Sequence, residues 1–250
     1  MKKIIILFLL IVISLSLTFA QLDDETNDDT VNDILTLYFQ TIGQDNLLKT
    51  NTYVTKGKII KGDTEITFTS YNKRPIYYRL ETEIDNEKII SVFDGDSGWT
   101  INPILSSSDP QPMTPDETER SKLMADYDGM FYNYAQKGYT VEFIDKEDVG
   151  FVETYVLKLT TQDDEEITAY IDTENNIMLK LSTYVMIRDT AVELEIYFSH
   201  HRFVNYILFP FTIETKLNSR TEMKLMVDKI TFDVNMPDSL FEMPETDNQN

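Results

Sequence analysis

Two carboxylates in a short glycine-containing segment are the first residues of this chain whose types could do chemistry. Asp94 and Asp96 are followed by Gly98, and this spacing imitates the beginning of an EF-hand calcium loop. The loop requires a glutamate at its twelfth position, where this chain has Leu105. The missing ligand favours a simpler interpretation, in which residues 94–98 form a polar turn between two strands.

Two adjacent histidines, His200 and His201, are the only histidines of the chain. Neighbouring side chains of a strand point to opposite faces, so this pair cannot converge on one ion, and we predict no metal site. The acidic run Asp163–Glu166 is explained as the solvated tip of a hairpin. The sequence contains neither a Gly-x-Ser-x-Gly motif nor a phosphate-binding glycine loop, so we predict no catalytic residue and no cofactor. A hydrolase is only a third hypothesis.

Binding of an apolar ligand needs only apolar surface, which the chain supplies with 14 Tyr, 14 Phe and 10 Met. Each buried methylene contributes about 0.8 kcal/mol, so one long acyl chain could gain on the order of 10 kcal/mol before entropic costs. Most of these side chains are equally explained as ordinary core residues. The candidate lining residues of a ligand cavity are Tyr78, Leu80, Phe93, Trp99, Leu123, Met124, Tyr127, Phe131, Leu157, Leu194, Ile196 and Leu225.

Residues 1–20 are predicted to be a secretory signal peptide that is cleaved after Ala20. Lys2 and Lys3 form a basic start, and Ile4–Leu17 is almost wholly apolar. The alternative is an uncleaved membrane anchor. Such an anchor would need about 20 apolar residues followed by a positive segment, and the chain has neither.

Charge and cysteine content narrow the possible partners. Without the signal peptide, 20 basic residues stand against 43 acidic ones, a formal charge of −23. Such a surface repels nucleic acid and anionic lipid headgroups, so we expect neither of them as an electrostatic partner. The chain has no cysteine, which excludes disulfides, thiol catalysis and a lipid anchor at the cleavage point. We therefore expect a periplasmic protein without a lipid anchor.

The region after the signal peptide begins with an acidic leader and a helix. Residues 21–29 carry five acids and are predicted to be disordered. Thr30 is expected to cap a helix that ends at Gly43, with one further turn over residues 44–49. The apolar face of this helix comprises Val31, Ile34, Leu35, Tyr38 and Ile42.

From Thr52 onward the apolar pattern has a period of two, which predicts half-buried antiparallel strands joined by short polar turns. In the last long strand this pattern slips. Val227 belongs to an odd-numbered apolar set and Ile230 to an even-numbered one. One extra residue near Asp228–Lys229, a β-bulge, would keep both sets on the same face.

The strand series is interrupted once. Residues 102–112 are rich in proline and serine and predict a loop. Thr114 is expected to cap a helix that runs to about Tyr127, and we predict that residues 115–131 form a mobile lid with a hinge at Gly129. The face of the lid that would close over the sheet comprises Leu123, Met124, Tyr127 and Phe131.

The polar turn at residues 94–98 lies between the predicted strands Ile89–Phe93 and Trp99–Ile101. We expect this hairpin to place Trp99, the only tryptophan, on the concave side of a large sheet. With no internal repeat and no linker, the chain predicts one domain, mainly β with helices (α+β), built on a single curved antiparallel sheet.

Eight short segments are informative through their order and spacing. They are Gln40–Gly43, Tyr71–Pro75, Val92–Pro103, Asp126–Gly129, Tyr134–Glu147, Tyr170–Asp172, Phe209–Pro210 with Ile213–Glu214, and Asp238–Pro244. Taken together, these segments resemble the LolA-like family of outer-membrane lipoprotein-sorting proteins. Phe151 and Tyr206 stand where the family often has turn glycines.

The resemblance covers Val31–Glu245 and implies an incomplete β-barrel covered by lid helices. It gives a LolA-like half-barrel domain over residues 30–245 and a disordered tail over residues 246–250. It implies a carrier or binding protein of the cell envelope for lipoprotein acyl chains or lipid, which exchanges cargo with a membrane-bound donor or acceptor. The alternative is a sensor of the same fold that binds lipid or a membrane signalling partner. We expect a monomer in either case.

Overall fold

The computed structural model describes residues 27–104 and 107–244, except for the side chain of Asp116. The predicted signal peptide, residues 21–26 of the predicted leader and the predicted tail lie outside the described residues. Among the helices in the described ranges, none has the length and apolar character of a membrane span.

Three α-helices, two 3₁₀ helices (Tyr134–Lys137 and Asp238–Leu240) and fifteen strands make up the described chain. The α-helices are α1 (residues 27–42), α2 (Gln44–Leu47) and α3 (Pro115–Ala125). The strands are β1 (Thr52–Lys61), β2 (Thr64–Lys73), β3 (Tyr77–Ile84), β4 (Glu87–Phe93), β5 (Gly98–Asn102), β6 (Ser107–Pro112), β7 (Thr140–Val149), β8 (Val152–Thr160), β9 (Glu166–Asp172), β10 (Met178–Ile187), β11 (Thr190–Ser199), β12 (Arg202–Val204), β13 (Ile207–Phe209), β14 (Thr212–Leu217) and β15 (Arg220–Phe232).

Thirteen of these strands form one antiparallel sheet in the order β6-β5-β4-β3-β2-β1-β15-β14-β11-β10-β9-β8-β7. Strands β12 and β13 form a separate hairpin in the connection between β11 and β14. The edge strands β6 and β7 are not paired with each other, so the sheet is not closed into a barrel. This architecture confirms the predicted fold class: an incomplete β-barrel, mainly β, with covering helices.

Helix α1 begins earlier than predicted. Thr30 lies inside the helix, and residues 27–29, which were assigned to the disordered leader, are already helical. The Asn27 side chain accounts for the difference. Its amide donates to the Phe143 carbonyl at 2.8 Å and accepts the Phe143 N–H at 3.1 Å. The predicted apolar face is confirmed, because Val31, Ile34 and Leu35 are buried.

The predicted bulge in β15 is present at Asp228. The pairing of β1 with β15 passes from Lys56–Lys229 to Gly57–Val227, and Asp228 is left without a partner in this ladder. The slip keeps Val227 and the residues beyond it on the same face of the sheet.

The prediction of a loop over residues 102–112 is wrong for its second half, where the chain forms β6. Trp99 pairs with Pro112, and Thr100 pairs with Gln111. A proline has no N–H to donate to a ladder, but an edge strand needs only one side of its backbone to pair. Prolines at 110 and 112 are therefore compatible with the strand because β6 is the edge of the sheet.

The two faces of the sheet follow from the pairing register. We call the side that carries Tyr53, Phe68 and Leu225 the helix face, because the α1, α2 and α3 segments pack there. We call the other side the opposite face. It carries the continuous cross-strand row Val54, Tyr71, Arg79, Val92, Trp99 and Pro112.

Candidate functional site

The helix face is closed over part of its area by two apolar clusters. In the first, α1 and Phe131 pack on β7 to β10 around Leu157, which is fully buried. In the second, Leu47 of α2, Tyr127 and the β12–β13 hairpin pack on the beginning of β1 and the end of β15. Phe131 and Tyr127 therefore contribute to the core between sheet and helices.

Arg74 joins the parts of the second cluster. Its guanidinium donates to the carbonyls of Thr50 at 2.7 Å and Leu47 at 3.0 Å, and to the Asp128 carboxylate at 2.7 Å. It also lies 4.2 Å from the centre of the Tyr127 ring, and the Tyr127 hydroxyl is 2.8 Å from Thr50 Oγ1. This arrangement ties α2 to the segment that follows α3.

Arg74 was not among the residues predicted from the sequence to form the site. The only signal was its place in the segment Tyr71–Pro75, one of those that carry the family resemblance. A lone arginine at the end of a strand is not distinctive, because the two carbonyls and the carboxylate that it binds come from distant parts of the chain.

Trp99 is not on the concave side, and this prediction is wrong. It pairs with Val92 on the opposite face, whereas Phe93 and Gly98 form the neighbouring pair on the helix face. Trp99 is 2% exposed, and its indole N–H donates to the Phe241 carbonyl at 2.9 Å. It is a core residue under the C-terminal segment.

We call this segment, residues 233–241, the C-terminal strap. Met236 and Phe241 are buried against the opposite face together with Trp99. The strap is also held through its backbone: the Met236 carbonyl accepts from Lys73 Nζ at 2.7 Å and the Leu240 carbonyl from the Arg79 guanidinium at 2.9 Å. These contacts cover the opposite face over β1 to β5.

Helix α3 ends at Ala125, two residues earlier than predicted, while its predicted start is confirmed. Thr114 Oγ1 accepts the Glu117 N–H at 3.3 Å, and Glu117 Oε2 accepts the Thr114 N–H at 2.8 Å, which together form a capping box. Leu123 is 39% and Met124 60% exposed, so these two side chains do not close over the sheet in this conformation.

Seven of the twelve predicted lining residues share the helix face of the sheet. Pairing register places them there on five different strands. They are Tyr78, Leu80, Phe93, Leu157, Leu194, Ile196 and Leu225. Burial raises the pKa of the Tyr78 phenol to about 12, which keeps it neutral near pH 7.

An apolar row on the helix face begins outside both clusters and ends at the edge of the first one. Ile66 pairs with Ile59, Ile59 with Leu225, Leu225 with Ile213, and Ile213 with Phe198, which packs against the first cluster. All five side chains are partly exposed. We call this set the open row. Five adjacent strands give it a length of about 19 Å.

Of the open row, only Leu225 was predicted from the sequence as a lining residue. Ile59, Ile66 and Ile213 each fit an alternating strand pattern, but a pattern within one strand does not say which strands are neighbours. The pairing of β1 with β15, between distant parts of the chain, brings these residues together.

The polar groups considered for chemistry have structural roles. The Asp94 carboxylate accepts the N–H groups of Asp96 at 3.0 Å and Ser97 at 2.8 Å, which confirms a polar turn. Burial alone would raise its pKa, but these hydrogen bonds hold the pKa of Asp94 below its ordinary value. Burial lowers the pKa of His201. Within the described residues, no group of three or more His, Asp or Glu side chains is placed to hold a metal ion.

A cleft of about 290 Å³ lies at the surface between α1 and the segment after α3. Its volume is at the lower limit for small-molecule sites. Of the predicted lining residues it includes only Phe131. The residues that line it are Asn32, Leu35, Thr36, Phe39, Phe131, Tyr132, Asn133, Tyr134, Ala135 and Gln136.

Solved structures with a similar fold cover most of this chain. A DUF1329 family protein from Desulfovibrio piger is 14% identical, with 84% of this chain and 97% of that one covered and a TM-score of 0.58. A LolA superfamily protein from Nitrosomonas europaea is 14% identical, with coverage of 81% and 96% and a TM-score of 0.54. An outer membrane lipoprotein-sorting protein domain from Vibrio parahaemolyticus is 12% identical, with coverage of 80% and 94% and a TM-score of 0.53.

No protein-family model and no curated protein sequence matches the chain. At these identities the structural likeness concerns the fold. Together with the open thirteen-stranded sheet and its covering helices, it shows that this chain has a LolA-like fold.

Proposed function

We propose that this protein is a periplasmic carrier or binding protein that holds lipoprotein acyl chains or lipid against the helix face of its sheet. The open row carries the proposal. It is a band of aliphatic and aromatic side chains about 19 Å long, partly exposed on the face that the two apolar clusters close elsewhere. Contiguous exposed apolar surface on the concave side of a sheet is the kind of surface that binds an apolar ligand.

The chemistry of the open row favours an acyl chain over a polar ligand. Its members carry no hydrogen-bonding side-chain group, so the row can select only by shape and by burial of apolar area. An acyl chain gains about 0.8 kcal/mol per buried methylene on such a surface. The LolA superfamily and lipoprotein-sorting neighbours are consistent with this ligand class.

Helix α3 is the element that moves in this proposal. It packs on β3, β4 and β5, near the predicted lining residues Tyr78 and Phe93. Ala125 is its only fully buried apolar residue, so few apolar contacts hold it in place. Elements with little buried apolar area open at low free-energy cost. Tyr127 and Asp128 are held by the second cluster and by Arg74, so movement of α3 about Gly129 requires that these two residues be released first.

Ligand titration of two variants on one strand tests the site. Leu225 faces the open row, whereas its neighbour Met226 lies on the opposite face and is 43% exposed. We expect Leu225→Glu to weaken the binding of a fluorescent long-chain fatty acid by at least about tenfold, because a charge must be desolvated in the site. Met226→Glu on the same strand should bind like the wild type.

Equal affinity of the two variants would contradict the proposal. If Leu225→Glu does not fold, the double variant Ile59→Thr with Ile66→Thr keeps β-branched residues in the strands and still removes apolar surface.

The same titration tests whether α3 must move to admit the ligand. Cysteines introduced at Asn72 and Ala125 would tie α3 to β2, where Asn72 Nδ2 donates to the Met124 carbonyl at 3.3 Å. The disulfide should block uptake, and reduction should restore it.

A further inference from the structure

We propose that the β12–β13 hairpin docks this protein on the surface of a phospholipid bilayer, with the rings of Phe203 and Tyr206 inserted among the lipid headgroups. This surface is separate from the open row and concerns where the protein binds, not which ligand it holds. Phe203 is 66% exposed and Tyr206 is 82% exposed, although the hairpin that carries them is firmly packed.

The hairpin is held in place by the second cluster and by contacts of its backbone with α2 and the residue before it. Val204, Ile207 and Phe209 belong to the second cluster. The Tyr206 carbonyl accepts from Asn46 Nδ2 at 3.3 Å, and a Cβ at Gly43 would lie 2.2 Å from this same oxygen. The hairpin therefore presents its two aromatic rings from a fixed position, so little conformational entropy is lost when the rings are buried elsewhere.

The turn is built with an unusual residue for its geometry. Asn205 and Tyr206 have φ values of 51° and 61°, which is the pattern of a two-residue hairpin turn whose second position favours glycine. A tyrosine in the left-handed region is strained, and its ring gains no burial that would offset the strain. The strain is consistent with a ring that is buried only when the protein is docked.

Local charge also sets this hairpin apart from the rest of the surface. The chain has 43 acidic residues among 250, but residues 196–213 contain none. The hairpin is instead preceded by His200 and His201 and begins with Arg202. This absence of acids weakens the repulsion from lipid phosphates that the rest of the surface would produce, and Arg202 adds attraction. The exposed Asp45, next to Asn46 in α2, is the acid nearest to the hairpin along these contacts and acts against that attraction.

Size and shape favour a bilayer over a second protein. Two aromatic side chains bury at most about 500 Å², whereas a stable protein interface needs about 800 Å² on each partner. A projecting hairpin tip also finds no complementary cavity in a flat protein surface, but it can enter a fluid headgroup layer. Tyrosine is enriched at that depth because its ring is apolar and its hydroxyl is polar.

Fluorescence of a single-site reporter tests the docking. In Tyr206→Trp the new indole stands at the hairpin tip, while Trp99 is 2% exposed and gives a constant background. Vesicles of phosphatidylcholine with phosphatidylglycerol should shift its emission to shorter wavelength, and brominated lipids should quench it. Tyr184→Trp is the matched control, because Tyr184 is 73% exposed on the opposite face of β10. Its emission should not change.

Co-sedimentation with the same vesicles supplies a second readout. The double variant Phe203→Ser with Tyr206→Ser should lower the bound fraction at least fivefold, whereas Tyr184→Ser with Met186→Ser should not. An unchanged emission of Tyr206→Trp with vesicles overturns the proposal. So does a shift that depends on protein concentration without lipid, since that result identifies the hairpin as an interface between copies of the chain.

Discussion

The opposite face of the sheet is completed in two different ways in its two halves. Over β1 to β5, the C-terminal strap covers it and buries Trp99 and Phe241 in an apolar cluster. Over β9 to β14, no apolar cluster of the described residues covers the same face. There the side chains themselves form a flat layer of alternating tyrosine and charge. One face of a sheet can therefore be covered by a further segment of the chain, or it can remain uncovered when its polar side chains bind one another.

The flat layer is built on cross-strand register. Tyr170 pairs with Lys180 and Lys180 with Tyr197, and Lys180 Nζ lies 4.3 Å from the centre of the Tyr170 ring. Glu195 is 6% exposed and accepts from Lys180 Nζ at 3.1 Å and from the Tyr197 hydroxyl at 2.9 Å. Lys216 Nζ lies 4.2 Å above the Tyr197 ring. We call these five residues the Tyr–Lys layer.

The half of the sheet that lies under the C-terminal strap should lose more stability than the other half when one side chain is truncated. We expect Trp99→Ala to lower the free energy of unfolding by about 3–5 kcal/mol, because it leaves a large cavity under the strap. Urea denaturation measures this, and Trp99→Phe, which keeps a ring, should cost much less. Fatty-acid affinity of the folded variant should stay unchanged, because Trp99 lies on the other side of the sheet from the open row. A loss below about 1 kcal/mol would mean that the strap is not part of the core.

The stability of the Tyr–Lys layer should depend on whether the charges of Lys180 and Glu195 are both present or both removed. Glu195→Gln leaves Lys180 without its ion pair, with only 15% of the lysine side chain exposed, and we expect a loss of about 1–3 kcal/mol in urea denaturation. Adding Lys180→Met should recover much of it, since no buried charge is then left unpaired. The exposed pair of Lys58 with Glu65 is the control, and Lys58→Met should cost under about 1 kcal/mol. A double variant as unstable as Glu195→Gln would argue against a coupled layer.

Lowering the pH should weaken the Tyr–Lys layer and leave the contribution of Trp99 under the C-terminal strap unchanged. Burial alone would raise the pKa of Glu195, but the hydrogen bonds from Lys180 and Tyr197 hold it below its ordinary value of 4.5. Because the folded-state pKa is the lower one, the stability from this charge is present above about pH 4.5 and is lost as pH falls through the folded-state pKa. The gap in unfolding free energy between wild type and Glu195→Gln should therefore shrink on acidification. The gap for Trp99→Ala should stay constant, and a parallel decline of both would contradict this reasoning.

Strand positions and the bulge could be predicted because both follow from local period. The two apolar phases around Val227 and Ile230 require one extra residue wherever the strand is, and the structure has it at Asp228. The face that Trp99 occupies could not be predicted in this way. Strand β4 has apolar residues in both phases, Val92 and Phe93, because both of its faces are covered.

Long-range contacts explain what the sequence did not predict. Phe241 of the strap lies 142 residues after Trp99 in the chain, and no local pattern predicts their contact. The same holds for the start of α1, where the stabilising contact joins Asn27 to Phe143. Of the candidate site, the apolar residue types were predictable, but the open row required the register between β1 and β15.

The contact between Asn27 and Phe143 has a further consequence for self-assembly. A sheet with open edges offers unpaired backbone groups on which other chains can stack as strands and grow into fibrils. On β7 the Asn27 amide occupies both backbone groups of Phe143, and the Asp145 carboxylate accepts the Lys146 N–H at 2.8 Å. On β6 two of the six residues are prolines and have no N–H to offer. The sheet can thus remain open between its edge strands β6 and β7, while these positions resist pairing with strands of other chains.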